Sequence, residues 1–145
     1  MFRVMLLCFV MGLVGCSKLS AHLDCYGTKD QCNKAQLAAD KFTALGWPIV
    51  TITRQGDALA AKRVVENSMS FSNDCYLNGK PVKGVYMPNI DFICVDSDLD
   101  APTTVCALYH ELGHRLGFGH HPASGHYMNK NLSSDGQCNI GGAND

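Results

Sequence analysis

Residues 110–120 read His110-Glu111-Leu112-Gly113-His114-Arg115-Leu116-Gly117-Phe118-Gly119-His120. The stretch just upstream starts a helix: Asp100 can accept hydrogen bonds from the free N–H groups of a first turn, and Pro102 has no N–H to leave unpaired there. From Thr103 to Leu116 the apolar residues Val105, Leu108, Leu112 and Leu116 form much of one stripe, and Gly117 can take the positive φ that ends a helix. Successive residues turn by roughly 100°, so His110 and His114 stand one turn apart and only about 40° around the axis. Both imidazoles can therefore reach one ion. Glu111 lies about 60° beyond His114, where its carboxylate can hydrogen-bond a water on that ion and act as a general base. Gly117 swings the chain back so that His120 can approach as a third ligand. Three neutral imidazoles leave a fourth tetrahedral position open, as a catalytic zinc requires and a structural zinc does not.

Working outward, Asp30 to Leu45 carries Ala35, Leu37, Ala38, Ala39, Phe42 and Leu45 at helical spacing, with Gly46 as a stop. Residues 49–53, rich in β-branched side chains, predict a strand, and a second is expected around 63–72 from Val64, Val65, Met69 and Phe71. Asn78-Gly79 is a turn signal. Lys83–Met87 and Ile90–Val95, separated by Pro88-Asn89, are two further short strands. The order predicts an α+β fold, a small, mostly β twisted sheet packed with two main helices.

The 145 residues allow one domain with a modest core. Lys and Arg total 12 against 13 acids, a net charge of -1 that gives no reason to expect nucleic acid as a partner. Eight cysteines are far above ordinary use and point to an oxidising compartment or to metal. The N-terminus favours the former. Arg3 precedes an apolar run from Val4 to Val14, too short at ~1.5 Å per residue to cross a hydrocarbon core of ~30 Å, so it reads as an export signal over 1–15. Leu13-Val14-Gly15-Cys16 resembles the bacterial lipobox, which implies lipidation of Cys16 and, with Ser17 following, anchorage in the outer membrane facing the periplasm. Residues 16–28 are then expected to be the lipidated N-terminus and a tether, and 29–145 the folded domain. Cys25, Cys32, Cys75, Cys94, Cys106 and Cys138 remain. Six cysteines without finger-type spacing read as three disulfides, with 15 possible connectivities.

The string 110–120 resembles the signature of the metzincin zinc metallopeptidases at every defined position. Met128, eight residues after His120, resembles the methionine turn of that family at matrixin spacing. The resemblance covers His110 to Met128 and implies a zincin-type catalytic domain holding one Zn²⁺ through His110, His114 and His120. It also implies zinc-water hydrolysis of peptide bonds with Glu111 as general base, and an extended substrate paired to an edge strand, for which Lys83–Met87 is the candidate. Departures from the family lie after Met128. Lys130 stands where some members carry a tyrosine, and Asn129-Lys130-Asn131 replaces a Pro-x-Tyr wall. His22 is the only histidine before the string, which argues against a second, structural zinc.

The expectation is a monomeric, disulfide-bonded metalloendopeptidase of the cell envelope, acting on proteins or peptides there and touching the membrane through lipid. Two alternatives are a non-catalytic, metal-containing lipoprotein that binds peptides and a peptidase acting on peptidoglycan stem peptides. Other residues receive plainer readings: Cys106 as a disulfide pinning the helix to the Cys94 strand or the Cys138 tail, His121 and His126 as exposed loop residues, and Asp96-x-Asp98-x-Asp100 as a solvated loop and cap rather than a calcium site.

Overall fold

The structure is a computed structural model describing residues 20–60, 63–123, 126–131 and 138. The expected export signal and Cys16 lie outside the described residues, as does the Gly/Asn-rich tail at 141–145. The elements run β1 (His22–Tyr26), α1 (Lys29–Ala44), β2 (Thr51–Gly56), β3 (Ser68–Phe71), β4 (Tyr76–Leu77), β5 (Lys80–Pro81), β6 (Gly84–Met87), β7 (Phe92–Val95) and α2 (Ala101–Arg115). The fold is α+β, as expected. A five-stranded sheet in the order β2-β1-β3-β7-β6 is parallel except for β6, which runs antiparallel to β7 along one edge. β4 and β5 form a separate hairpin turned at Asn78-Gly79, both with positive φ.

One expectation is corrected here. Residues 22–26, read from the sequence as part of a tether over 16–28, form β1, an interior strand between β2 and β3. Leu23 and Cys25 are fully buried while His22 is exposed and Asp24 and Tyr26 are only partly covered. Two inward apolar residues among five give a weak alternation, and the strand is held by neighbours distant in sequence. The domain thus begins before residue 29. Boundaries also shift elsewhere: the strand expected at 49–53 occupies 51–56, and that expected over 63–72 shrinks to 68–71.

Both helices pack on one face of the sheet. Leu23, Met69, Phe71, Ile93 and Val95 meet Ala35, Ala38, Ala39 and Phe42 of α1 and Ala107, Leu108 and Leu112 of α2. A smaller cluster of Cys75, Val85, Phe92 and Cys94 covers the opposite face near β6. β3 and β7 are consequently buried on both sides, and the buried hydroxyls of β3 are satisfied: Ser68 Oγ donates to Val65 O at 2.6 Å, and Leu59 N donates to Ser70 Oγ at 3.0 Å. Caps fix the helix starts. Thr28 and Gln31 form a reciprocal capping box on α1, and Asp100 Oδ1 accepts from Thr103 N at 2.8 Å on α2.

Three disulfides join the six cysteines. Cys25–Cys32 ties β1 to the first turn of α1, Cys75–Cys94 pins the segment leading into the β4–β5 hairpin to β7, and Cys106–Cys138 holds α2 to the C-terminal segment. Cys106 therefore reaches the Cys138 tail rather than the Cys94 strand. Among the described residues no helix is long and apolar enough to cross a membrane.

Candidate metal centre

Helix α2 is covered on more than its apolar stripe, since His110, Glu111, Gly113 and Arg115 are buried along with Leu108 and Leu112. The cover over His110 and Gly113 comes from residues 126–129. His110 Nδ1 lies 2.9 Å from Tyr127 O, and His114 Nδ1 lies 2.9 Å from Phe118 O. A carbonyl oxygen only accepts, so both Nδ1 atoms carry the proton and both Nε2 atoms present lone pairs. Those two Nε2 atoms face each other at 3.0 Å. Burial pushes the His110 imidazole down to about 4 despite its bond to Tyr127, and lowers His114 as well, so both rings are neutral at pH 7.

His120 completes the group. Gly117 takes φ +96° past the end of α2, Phe118 N returns to Gly113 O at 3.0 Å, and the chain then carries His120 beside the helix. Its ring centroid lies 5.2 Å from that of His110 and 4.9 Å from that of His114. One ligand atom from each of the three histidines lies within 4.8 Å of the others, and His110, His114 and His120 could together hold a metal ion. They are the only such group of three or more among the described residues. Converging neutral imidazoles with their far nitrogens locked on carbonyls fit a borderline-soft divalent cation such as zinc, because a cation relieves the lone-pair repulsion between the Nε2 atoms.

Beneath the group, Met128 is buried to 1% exposure and sits against Gly113. A Cβ at Gly113 would collide with Met128 Sδ and lie 3.0 Å from the Tyr127 ring, so glycine in the last turn of this helix is a packing requirement. His121 N donates to Met128 O at 2.9 Å and the Asn129 amide donates to Pro122 O and Ala123 O, which locks the two loops together.

Glu111 lies on the flank predicted for it, against the edge strand β6. Tyr86 N–H donates to its carboxylate, and a Cβ on Gly84 would meet Glu111 Oε1 at 2.8 Å and Cγ at 2.9 Å. Burial pushes the carboxyl up to about 8, while the bond from Tyr86 opposes that rise. A cleft of about 740 Å³ runs along β6 past Glu111 and the three histidines, with Leu77, Val82, Lys83 and Pro88 along the strand side and Lys130 and Asn131 beyond the methionine turn.

Comparison with protein-family models and with curated proteins finds no match for this chain.

The remaining candidates sort by geometry. The His121 and His126 rings stack at 4.0 Å with their Nδ1 atoms accepting from Ala123 N and Met128 N, outside the triad. Asp96 and Asp98 belong to a loop turn and Asp100 is the α2 cap. His22 pairs with Asp24 at 3.0 Å. Four contributors escaped the sequence reading: Gly84, Tyr86, and the carbonyls of Phe118 and Tyr127. They act through the backbone or through the lack of a side chain, so no residue-type signal marks them.

A buried ion pair sets the outer end of this assembly. Arg115 donates to both carboxylate oxygens of Asp91, at 2.7 and 2.8 Å, and Asp91 also hydrogen-bonds the Tyr86 hydroxyl. The end of α2 is thereby fixed to the β6–β7 turn, and with it the strand whose N–H groups meet Glu111.

Proposed function

We propose that this chain is a zinc-dependent endopeptidase of the metzincin type, lipid-anchored through Cys16 in a bacterial envelope. One observation carries the reading: three histidine side chains with their metal-competent nitrogens turned inward share a cleft with a buried carboxylate held against an open strand edge. A structural metal site needs no carboxylate there.

The chain's own residues have separable tasks. His110, His114 and His120 would hold the ion, which when bound supplies Lewis acidity toward a carbonyl and toward water. Glu111, on the cleft wall beside the three histidines, is placed to take a proton from the attacking water and to return it to the departing amine. β6, an edge strand lining the cleft, offers an extended peptide backbone the outward groups that Glu111 does not already engage. Lys130 and Asn131 lie in the cleft where a tyrosine or an apolar wall would otherwise stand, so the preference for substrate side chains differs from that of the matrixins.

The test is digestion of a peptide library by the oxidised, zinc-loaded, detergent-solubilised protein, read by mass spectrometry beside Glu111→Gln. Hydrolysis that falls roughly 10²–10⁴-fold in the variant, with zinc content unchanged, is the expected result. Equal zinc in both proteins with no cleavage by either would turn the reading toward a peptide-binding role.

A further inference from the structure

The chain enters its described fold at a fixed point. Arg115 Nη2 donates to Ser20 O at 2.6 Å, and Thr51 N donates to Ala21 O at 2.9 Å. Ser20 is four residues from Cys16, so at ~3.3–3.6 Å each the two lie at most ~13–14 Å apart. If Cys16 carries lipid, as the proposal above holds, this end of the domain lies at the bilayer surface.

The segment beside that point is unlike an ordinary surface loop. Residues 45–50, Leu45-Gly46-Trp47-Pro48-Ile49-Val50, contain no charged and no hydrogen-bonding side chain other than the indole N–H. Thr51, which follows it, pairs with His22, and Pro48 and Val50 border the same small crevice as Arg115 and Leu116. The segment therefore lies beside the place where the chain leaves toward Cys16. Ile49 is 70% exposed and Leu45 45%, while Trp47 is half-buried with its ring 4.8 Å from that of Phe118. Loops normally run over the surface with polar side chains, and apolar residues gathered next to an anchor point have an adjacent apolar phase to enter.

We propose that residues 45–50 are the face by which the lipid-anchored domain rests on the membrane, Ile49 and Leu45 entering the headgroup–acyl boundary and Trp47 lying at headgroup level. Lipid supplies the affinity, and the segment sets the orientation. With no cation in the segment, the contact does not require anionic lipid.

Trp47 is the chain's only tryptophan, so its emission reports this face alone. The experiment uses the full lipidated protein in phosphatidylcholine vesicles whose acyl chains carry bromine at graded depths. Loss of Trp47 emission, strongest for bromines nearest the headgroups, is expected, as is relief of that loss in Ile49→Asp with lipidation and peptide hydrolysis unchanged. A lipidated protein whose Trp47 no brominated lipid quenches would leave the segment to a protein partner and overturn the proposal. Quenching unaltered in Ile49→Asp, or seen only with anionic lipid, would overturn it too. Absence of acyl mass on Cys16 would overturn the anchor reading and this one together, so the two failures are told apart by mass spectrometry.

Discussion

At one edge of the sheet, Val50 C=O and Ile52 N–H, either side of Thr51 at the start of β2, are both taken by the side-chain amide of Gln36 from α1, at 3.1 and 2.6 Å. At the other, Lys83 C=O accepts from Asp96 N across the sheet, and strand alternation turns the backbone groups of Gly84 and Tyr86 outward into the cleft. The amide of Gln36 presents one donor and one acceptor at the spacing a neighbouring strand would offer, and so blocks that edge to further pairing. Among the described residues no side-chain amide blocks β6 in this way, and its outward Tyr86 N–H is taken instead by the carboxylate that the proposed chemistry needs. An unpaired edge is a liability in a folded protein, and here the strand without an amide plug is the one that borders the three histidines able to hold a metal ion.

The comparison can be broken from either side. The largest effect is expected from Arg115→Met, which leaves the Asp91 carboxylate buried without its cation. Loss of one partner of such a pair costs about 3–5 kcal/mol, measurable by denaturant unfolding, and frees the turn that anchors β6. Gly84→Val places side-chain atoms where the Glu111 carboxylate lies. Displacement of a reacting group by about 1 Å is expected to lower hydrolysis on the order of 10²-fold while zinc binding persists, as kinetics and metal analysis would show.

A pH measurement sharpens the same edge. In chelator-treated protein the Glu111 carboxyl is raised from 4.5 to about 8, so the fold prefers it protonated. Its contribution is complete below the unfolded value and is lost as pH rises through 8. Glu111→Gln cannot ionise, and the metal-free variant should overtake the parent as pH climbs from 5 to 8, by about 3 kcal/mol at neutral pH in unfolding titrations. The smallest effect belongs to the plugged edge. Gln36→Leu removes two partly buried hydrogen bonds at about 1 kcal/mol and exposes β2, so self-association should rise in sedimentation experiments.

Legibility followed the range of the interactions. Helix α2 was readable because its start, its stop and two of the three candidate metal-holding histidines lie in one continuous stretch, with Asp100, Pro102 and Gly117 each acting on their own turn. β6 was readable as an edge because Pro88 ends it. β1 was not, since His22-Leu23-Asp24-Cys25-Tyr26 becomes a strand only through Thr51–Gly56 and Ser68–Ser70, which are remote in sequence. The cysteine pairing was closed to sequence for the same reason, and Gln36 looked like any polar residue on an amphipathic helix. Gly113 and Gly84 are defined by what a Cβ would strike, a property of the assembled fold alone.

The Cys106–Cys138 bridge spans a separation of 32 residues, and every histidine of the metal group, Glu111 and Met128 fall within that closed ring. Closing a ring of this size beforehand removes about 3–4 kcal/mol of chain entropy from the unlinked state, so His120 and the methionine turn are offered to α2 at a far higher local concentration. If these histidines hold a metal ion, as their convergence allows, its capture depends on thiol oxidation, and a copy whose ring is still open would hold that ion less tightly.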